Sequence, residues 1–236
     1  MSYIFRRGVS FDAKLLRQNL EEKSWNEYNK SRTSVLGIWD YEIKSGYGGG
    51  KMESETLLKV LRREKESRYS GGIYHKTQVD LTFNSNHIEG SRLTHEQTRY
   101  IFETNTVGVE NEALNVDDIL ETVNHFRCID LVIDHAEDGL TEGMIKELHR
   151  VLKTGTSDSR LDWFAVGEYK RVPNEVGGMV TALPEEVAGK METLLSEYRL
   201  KESKTLEDLL EFHVMFERLH PFQDGKVTLR HRQKAM

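Results

Sequence analysis

The sequence predicts a mainly α-helical bundle with one short β-hairpin, and three observations support this fold class. The 236 residues include only three prolines and 9% aromatics, with abundant Glu, Lys and Leu, which is typical of helical proteins. Apolar residues recur at helical spacing over several long segments. Between Gly167 and Pro184 the pattern changes to short strand-like runs separated by glycine and proline.

Composition and charge narrow the class of protein. A hydrophobic content of 37% over 236 residues suffices for a core and allows one or two domains. The net charge of −6 argues against nucleic acid or an anionic membrane as the main partner. Cys128 is the only cysteine, which excludes a disulfide framework and a cysteine zinc site. No apolar run approaches about 18 residues and no hydrophobic signal region opens the chain, so we expect a cytoplasmic protein.

Residues 1–70 are predicted to form an N-terminal helical region. Asp12 can cap a first helix, and a second apolar segment follows it. The glycine-rich residues 46–50 lack the GxxxxGK[ST] pattern, which argues against a phosphate-binding loop. After them, apolar spacing predicts an amphipathic helix over residues 54–66.

The next helix is predicted within residues 74–90 and should end before Gly90, because glycine suits the left-handed position after a helix. Its apolar positions are Val79, Leu81, Phe83 and Ile88. Thr94, with Gln97 three residues later, has the pattern of a capping box, and Thr141 is a candidate N-cap. The helices predicted in this part of the chain cover residues 94–103, 116–137 and 141–152. Their periodicity would fit any helical bundle.

Two short segments, residues 168–172 and 179–182, predict a β-hairpin. The residues that separate them include Pro173, Asn174, Gly177 and Gly178. Pro184 then begins a helix predicted over residues 185–201, since proline is tolerated in the first helical turn.

The last predicted helix, residues 205–219, ends in the segment HPFQDG, residues 220–225. Pro221 lacks the N–H group needed to continue it. The imidazole of His220, with an ordinary pKa near about 6.5, can take a hydroxyl proton at cell pH. Asp224 can hold a hard cation that bridges phosphate oxygens, and backbone amides after such a break can turn toward an anion.

Residues 216–225 read FERLHPFQDG and resemble the first half of the Fic-family signature, HPFxDGNGR. Fic proteins are mostly transferases that move AMP from ATP to a hydroxyl side chain of a target protein. The resemblance implies ATP as substrate, Mg²⁺ as cofactor and a target protein presenting a Ser, Thr or Tyr hydroxyl. It implies His220 as the general base and Asp224 as the Mg²⁺ ligand. The nucleotide contacts would be Phe222, Gly225 and Lys226.

The resemblance also suggests three regions. Residues 1–70 would be an N-terminal helical region, residues 71–115 an inhibitory helix with a connecting helix, and residues 116–236 a Fic-like core. Family members continue from the signature into another core helix, so we expect this core to be C-terminally incomplete, most simply through a frameshift or an early stop. Loss of the closing helix would expose apolar surface and favour homo-oligomers.

A second motif precedes the signature. Ser85, Glu89 and Gly90 fit the inhibitory motif [S/T]xxxE[G/N] that many Fic proteins carry before their catalytic core. The resemblance implies that Glu89 pairs with an arginine of the signature and blocks productive placement of the terminal phosphate of ATP. A capped helix end is the alternative interpretation.

The predicted hairpin resembles the Fic flap. In the family this flap binds the target segment as an added strand along its exposed edge. Here the edge would consist of Gly178, Met179, Val180 and Thr181. An ordinary surface hairpin is the alternative.

The second half of the signature departs from the family, because Lys226, Val227 and Thr228 stand where Fic proteins have Asn-Gly-Arg. Val227 is β-branched and resists the positive φ that glycine permits. Thr228 carries no charge, and Lys226 offers a point charge without the bidentate fork of arginine. We therefore expect ATP handling to be impaired or absent.

Three alternatives to a working transferase follow from the same residues. A degenerate, inactive Fic protein could serve as a partner-binding module. His213, Glu217 and His220 share one helical face and include one ExxH unit, but a di-iron site needs a second ExxH, which the sequence lacks. The basic residues after 225 could bind nucleic acid, although a solvated tail is the more common role of such a segment.

Overall fold

A computed structural model of the chain describes residues 56–108, 113–176 and 179–223, except for the side chains of residues 176–180. The predictions for residues 1–55 and for Asp224, Gly225 and Lys226 lie outside these ranges. Within them the fold is mainly α, as predicted, and no helix is long and apolar enough to cross a membrane. The elements are α1 (Leu57–Ser67), α2 (Ile73–Ile88), α3 (His95–Thr104), α4 (Val116–Asp134), α5 (Glu142–Lys153), β1 (Glu175–Val176), β2 (Met179–Val180), α6 (Pro184–Leu200) and α7 (Leu206–Leu219).

Threonine hydroxyls cap several helix N-termini. The predicted capping box of α3 is present: Thr94 Oγ1 accepts from the N–H of Gln97 at 3.1 Å, and the Gln97 side chain accepts from the N–H of Thr94 at 2.9 Å. Thr141 caps α5 as predicted, by accepting from the N–H of Met144 at 3.1 Å. These caps satisfy N–H groups that have no partner within the helix.

Thr205 offers a test of this capping. Its hydroxyl accepts from the N–H of Asp208 at 3.2 Å, and the Asp208 carboxylate accepts from the N–H of Thr205 at 2.8 Å. We expect Thr205→Ala to lower the free energy of unfolding by about 1 kcal/mol in denaturant titrations. Thr193→Ala is the control: this hydroxyl bonds to the Gly189 carbonyl inside α6, and its loss should change stability by less than about 0.5 kcal/mol. Equal effects of the two substitutions would contradict the prediction.

The main core lies between α5, α6 and α7, with α4 behind α5. Its fully buried side chains include Ile145, Leu148, Leu152, Val187, Met191 and Phe216. Burial on this scale is what fixes the helices, since each large apolar side chain contributes about 1.5–3 kcal/mol. This core fixes the C-terminal end of α7, and therefore the start of the HPFQDG segment.

Helix α2 buries a polar face, which the sequence did not indicate. Ile88, one of the predicted apolar positions, is 43% exposed, whereas Gln78 is fully buried. Gln78 Nε2 donates to Asp130 of α4 at 2.9 Å, and Asn86 Nδ2 donates to the Thr122 hydroxyl of α4 at 2.9 Å. Hydrogen bonds with α4 thus set the buried face of α2, because buried polar groups need partners.

The paired strands are shorter than predicted; β2 lies within the predicted second segment, residues 179–182, whereas β1 lies after the predicted first segment. Glu175 pairs with Val180 and Val176 with Met179, in antiparallel register. The prediction of a strand over residues 168–172 is wrong. The backbone N–H of Lys170 donates to the carbonyl of Pro221 at 2.9 Å, and that of Val172 to the Gln223 side chain at 3.2 Å. This segment therefore bonds to the HPFQDG segment instead of to the second half of the hairpin.

Candidate active site

The site is built on the turn that ends α7. Phe212, Phe216 and Leu219 anchor the last turns of the helix in the core. The N–H of His220 still donates to the Phe216 carbonyl at 2.9 Å, but His220 itself adopts a left-handed conformation with φ 49° and ψ 68°. Non-glycine residues seldom adopt positive φ, and such conformations concentrate at functional sites. His220 is only 2% exposed, so the surrounding protein holds it in this conformation.

Phe222 anchors the same turn. Its ring is 2% exposed and stacks on His149 of α5, with ring centroids 4.2 Å apart and planes 13° from parallel. The backbone N–H of Gly167 donates to His149 Nδ1 at 3.0 Å, which makes Nδ1 the acceptor nitrogen and fixes the orientation of the imidazole. The buried ring of Phe222 thus fixes the turn onto α5.

Tyr169 also contacts Phe222, with ring centroids 5.8 Å apart and planes tilted by 46°. Burial and the nearby Glu142 carboxylate raise the pKa of its phenol above the ordinary value, so the hydroxyl stays protonated at cell pH. Lys146 Nζ lies 4.4 Å from the centroid of the same ring. His149, Tyr169 and Phe222 form an aromatic cluster that the sequence pattern did not reveal.

A buried lysine joins this turn to the hairpin. Lys170 is 2% exposed, and its ammonium donates to Asn174 Oδ1 at 2.8 Å, to Thr181 Oγ1 at 2.7 Å and to the Leu219 carbonyl at 3.4 Å. Asn174 Nδ2 donates in turn to the Phe222 carbonyl at 3.3 Å. Sequence analysis missed these contacts. Lysine is seldom buried, and nothing near Lys170 in the sequence indicates that it is.

His213 precedes His220 by two turns of α7. It is 2% exposed, and burial lowers its pKa to about 4, so the imidazole is neutral at cell pH. His213 is therefore a buried histidine of the hydrophobic core. Among residues 56–108, 113–176 and 179–223, no three His, Cys, Asp or Glu side chains form a group that could hold a metal ion.

Residues 139–228 match the sequence model of the Fic/DOC family. The chain carries a Fic domain. The match covers the segment from just before α5 through the HPFQDG residues and includes the hairpin, α6 and α7. No curated protein matches the sequence.

Solved structures of Fic proteins share this fold. A Fic domain-containing signaling protein from Bacteroides thetaiotaomicron is 28% identical, with a TM-score of 0.56 over 71% of this chain and 66% of its own. A Fic family protein from Desulfovibrio desulfuricans is 23% identical, with a TM-score of 0.51 over 71% of this chain and 52% of its own. Fic-1 from C. elegans is 18% identical, with a TM-score of 0.51 over 71% and 51%. This chain thus spans about half to two thirds of the length of these proteins.

The residues predicted to inhibit the Fic domain lie at the C-terminal end of α2. Glu89 is the C-cap residue, and Gly90 follows with φ 94°, so the prediction of a left-handed glycine after the helix is confirmed. Ser85 is 2% exposed and faces the interior. Neighbouring Asn86 bonds to α4, which in turn bonds to α5 through Asn124 Nδ2 and the Leu152 carbonyl, 3.0 Å apart. Packed helices therefore connect this motif with His149 and the signature turn.

The residues predicted for the flap fall partly outside the described structure. Gly178 is one of the undescribed residues, and of Met179 and Val180 only the backbone, in β2, is described. Thr181 is 9% exposed, and its hydroxyl bonds inward to Lys170 and Asn174. The Fic domain thus brings the base of the hairpin together with the turn that contains His220.

Proposed function

We propose that this Fic domain is a protein AMP-transferase, which moves AMP from ATP to a Ser, Thr or Tyr hydroxyl of a target protein. The observation that carries the proposal is His220: the HPFQDG segment ends α7, and the core fixes this imidazole in a left-handed turn. A positioned imidazole is the side chain most often used as a general base.

The chemistry follows from the residues of the segment. His220 accepts the proton of the target hydroxyl, whose oxygen bonds to the α-phosphorus of ATP while the bond to the leaving pyrophosphate breaks. Gly225, Lys226 and the amides beside them contact the phosphates, and Phe222 holds the turn against α5. The carboxylate of Asp224 is the type of ligand that Mg²⁺ prefers, and a bound Mg²⁺ would neutralise charge on the phosphate oxygens. Gly178 to Thr181 would bind the target segment.

Autoinhibition through Glu89 is the second part of the proposal. Its carboxylate lies at the end of α2, which hydrogen bonds hold against the core. We propose that this carboxylate repels or displaces the terminal phosphate of ATP. In this chain Thr228 replaces the arginine expected to pair with the inhibitory carboxylate, so the strength of inhibition depends on the residues after the signature.

A catalytically inactive Fic domain that binds a partner is the second candidate function. The specific observation in its favour is the sequence Lys226-Val227-Thr228, which lacks the glycine and the arginine of the complete signature. Without that arginine the phosphates lose a bidentate charged contact. Nucleotide binding, rather than fold, is what separates the two candidates.

The test is transfer of label from α-labelled ATP, with Mg²⁺, to protein. Four proteins are compared: the chain as it is, Glu89→Gly, a repaired chain with Lys226→Asn, Val227→Gly and Thr228→Arg, and the repaired chain with Glu89→Gly. We expect the strongest labelling in the last, at least 10-fold above the repaired chain alone. Glu89→Gln, which removes the charge and keeps the shape, should release part of the inhibition.

The outcomes separate the two candidates. Labelling by unrepaired Glu89→Gly would show that the altered signature still supports transfer. Labelling only by repaired proteins, with no ATP binding by the unrepaired ones in calorimetry, would favour the partner-binding module. Absence of label with all of these proteins would overturn the proposed transferase.

A further inference from the structure

Lys170 is surrounded by protein oxygens. Its side chain is 2% exposed, and its ammonium donates to three oxygens of the described residues: Asn174 Oδ1 at 2.8 Å, Thr181 Oγ1 at 2.7 Å and the Leu219 carbonyl at 3.4 Å. A buried ammonium is costly unless it is hydrogen bonded in this way. Such an arrangement constrains all of the groups that accept from it.

Lys170 forms hydrogen bonds with the residues on both sides of His220. The ammonium donates to the carbonyl of the residue before it, Leu219, and the backbone N–H of Lys170 donates to the carbonyl of the residue after it, Pro221, at 2.9 Å. His220 has the positive φ that non-glycine residues seldom adopt. Because one residue holds the peptide group before His220 and the carbonyl of the residue after it, Lys170 limits the rotation of the backbone that aims the imidazole.

The same ammonium closes the base of the hairpin. Asn174 directly precedes β1 and Thr181 directly follows β2, and the Thr181 hydroxyl also donates to the Asn174 carbonyl at 2.9 Å. The two ends of the hairpin are therefore joined to each other and, through Lys170, to the turn that contains His220.

We propose that Lys170 is a positioning residue that couples the base of the hairpin to His220. It acts through the backbone of the turn and through Asn174 and Thr181, and it needs no contact with ATP. The role of Lys170 in catalysis rests on the proposed transferase function, whereas the coupling itself can be measured without activity.

Hydrogen exchange measures the coupling directly. The amides of residues 170 and 172 donate to Pro221 and Gln223, and the amide of His220 donates to Phe216. We expect Lys170→Met, which keeps the length of the side chain and removes the ammonium, to speed exchange at these three amides at least 10-fold. Amides in the middle of α4 should not change. Lys153→Met is the matched control, since Lys153 is also buried, at 4% exposure, but pairs with Glu121 at 2.7 Å.

Thr181→Val gives a milder variant, should Lys170→Met fold poorly. It removes one acceptor of the ammonium and keeps the shape of the side chain. We expect a smaller acceleration at the His220 amide, and little further acceleration when it is combined with Lys170→Met, because coupled residues do not act additively. Unchanged exchange at the His220 amide in Thr181→Val, or full additivity in the double variant, would overturn the coupling.

The catalytic part is tested in the repaired chain with Glu89→Gly. We expect Lys170→Met to lower kcat at least 10-fold and to leave KM for ATP within about twofold, because a displaced base slows the chemical step without weakening ATP binding. A rise in KM for ATP at unchanged kcat would overturn the positioning role. If no variant of the chain transfers AMP, the proposed function fails, and the exchange data alone decide the coupling.

Discussion

Replacing His220 with asparagine is expected to reduce AMP transfer by about 10²–10⁴-fold, the usual contribution of a general base. The substitution is chosen for the backbone. His220 has φ 49°, and asparagine adopts positive φ far more readily than alanine does. His220→Asn therefore removes the base and keeps the turn, whereas His220→Ala combines the loss of the base with backbone strain.

The measurement is label transfer from α-labelled ATP by the repaired chain with Glu89→Gly, with and without His220→Asn. Thermal melts of both proteins show whether the substitution changes the stability of the fold. His213→Asn is the matched control, because His213 lies on the same helix, is buried, and has no assigned role in transfer. Equal labelling with and without His220, in proteins of equal stability, would contradict its role as the base.

Acid is expected to destabilise the protein strongly between pH 6.5 and pH 4. Burial lowers the pKa of His125 to about 3 and that of His213 to about 4. In the unfolded chain both groups regain a pKa near about 6.5. The unfolded state therefore binds more protons in this window, and the free energy of unfolding falls as the pH falls. Each histidine should cost on the order of 2 kcal/mol at pH 5 relative to pH 7.

Denaturant titrations at pH 7, 6 and 5 measure this loss. His125→Gln and His213→Gln should each reduce the dependence of stability on pH. Glutamine is chosen because it can replace the hydrogen bond between His125 Nδ1 and the Thr82 hydroxyl, which are 2.9 Å apart. His135→Gln is the control, because its ring is exposed at the surface beside Asp138. An unchanged pH dependence in both buried-histidine variants would contradict the assignment.

Carboxylates are expected to contribute little above pH 5. Hydrogen bonds from Lys201 and Thr205 lower the pKa of Asp208 to about 2. Desolvation raises the pKa of Asp80, but hydrogen bonds from Lys76 and His95 outweigh it, so the pKa of Asp80 is lowered. A carboxylate with a lowered pKa stabilises the fold above its unfolded pKa, near about 3.9 for Asp, and loses that contribution below it. Titrations above pH 5 therefore report on histidines more than on carboxylates, and the two glutamine variants single out His125 and His213.

The sequence by itself determined the helical class, several helix ends and the family. The spacing of apolar residues and the local helix caps are short-range properties. Thr94 with Gln97 and Thr141 cap helices where the sequence predicts them, and Gly90 follows a helix as predicted. The Fic domain was evident from the segment HPFQDG, since a contiguous motif needs no knowledge of long-range contacts. Residues 85–90 lie at the C-terminal end of α2.

Only the tertiary structure decided the first strand of the hairpin, the buried face of α2 and the environment of Lys170. The strand predicted over residues 168–172 did not form, because its amides bond to Pro221 and Gln223, about 50 residues further along the chain. Helix α2 buries Gln78 because Asp130 accepts from it. Lys170 is buried because Asn174, Thr181 and Leu219 surround its ammonium with oxygens. A polar side chain can be buried wherever distant residues supply its hydrogen bonds, and local sequence patterns carry no information about those partners.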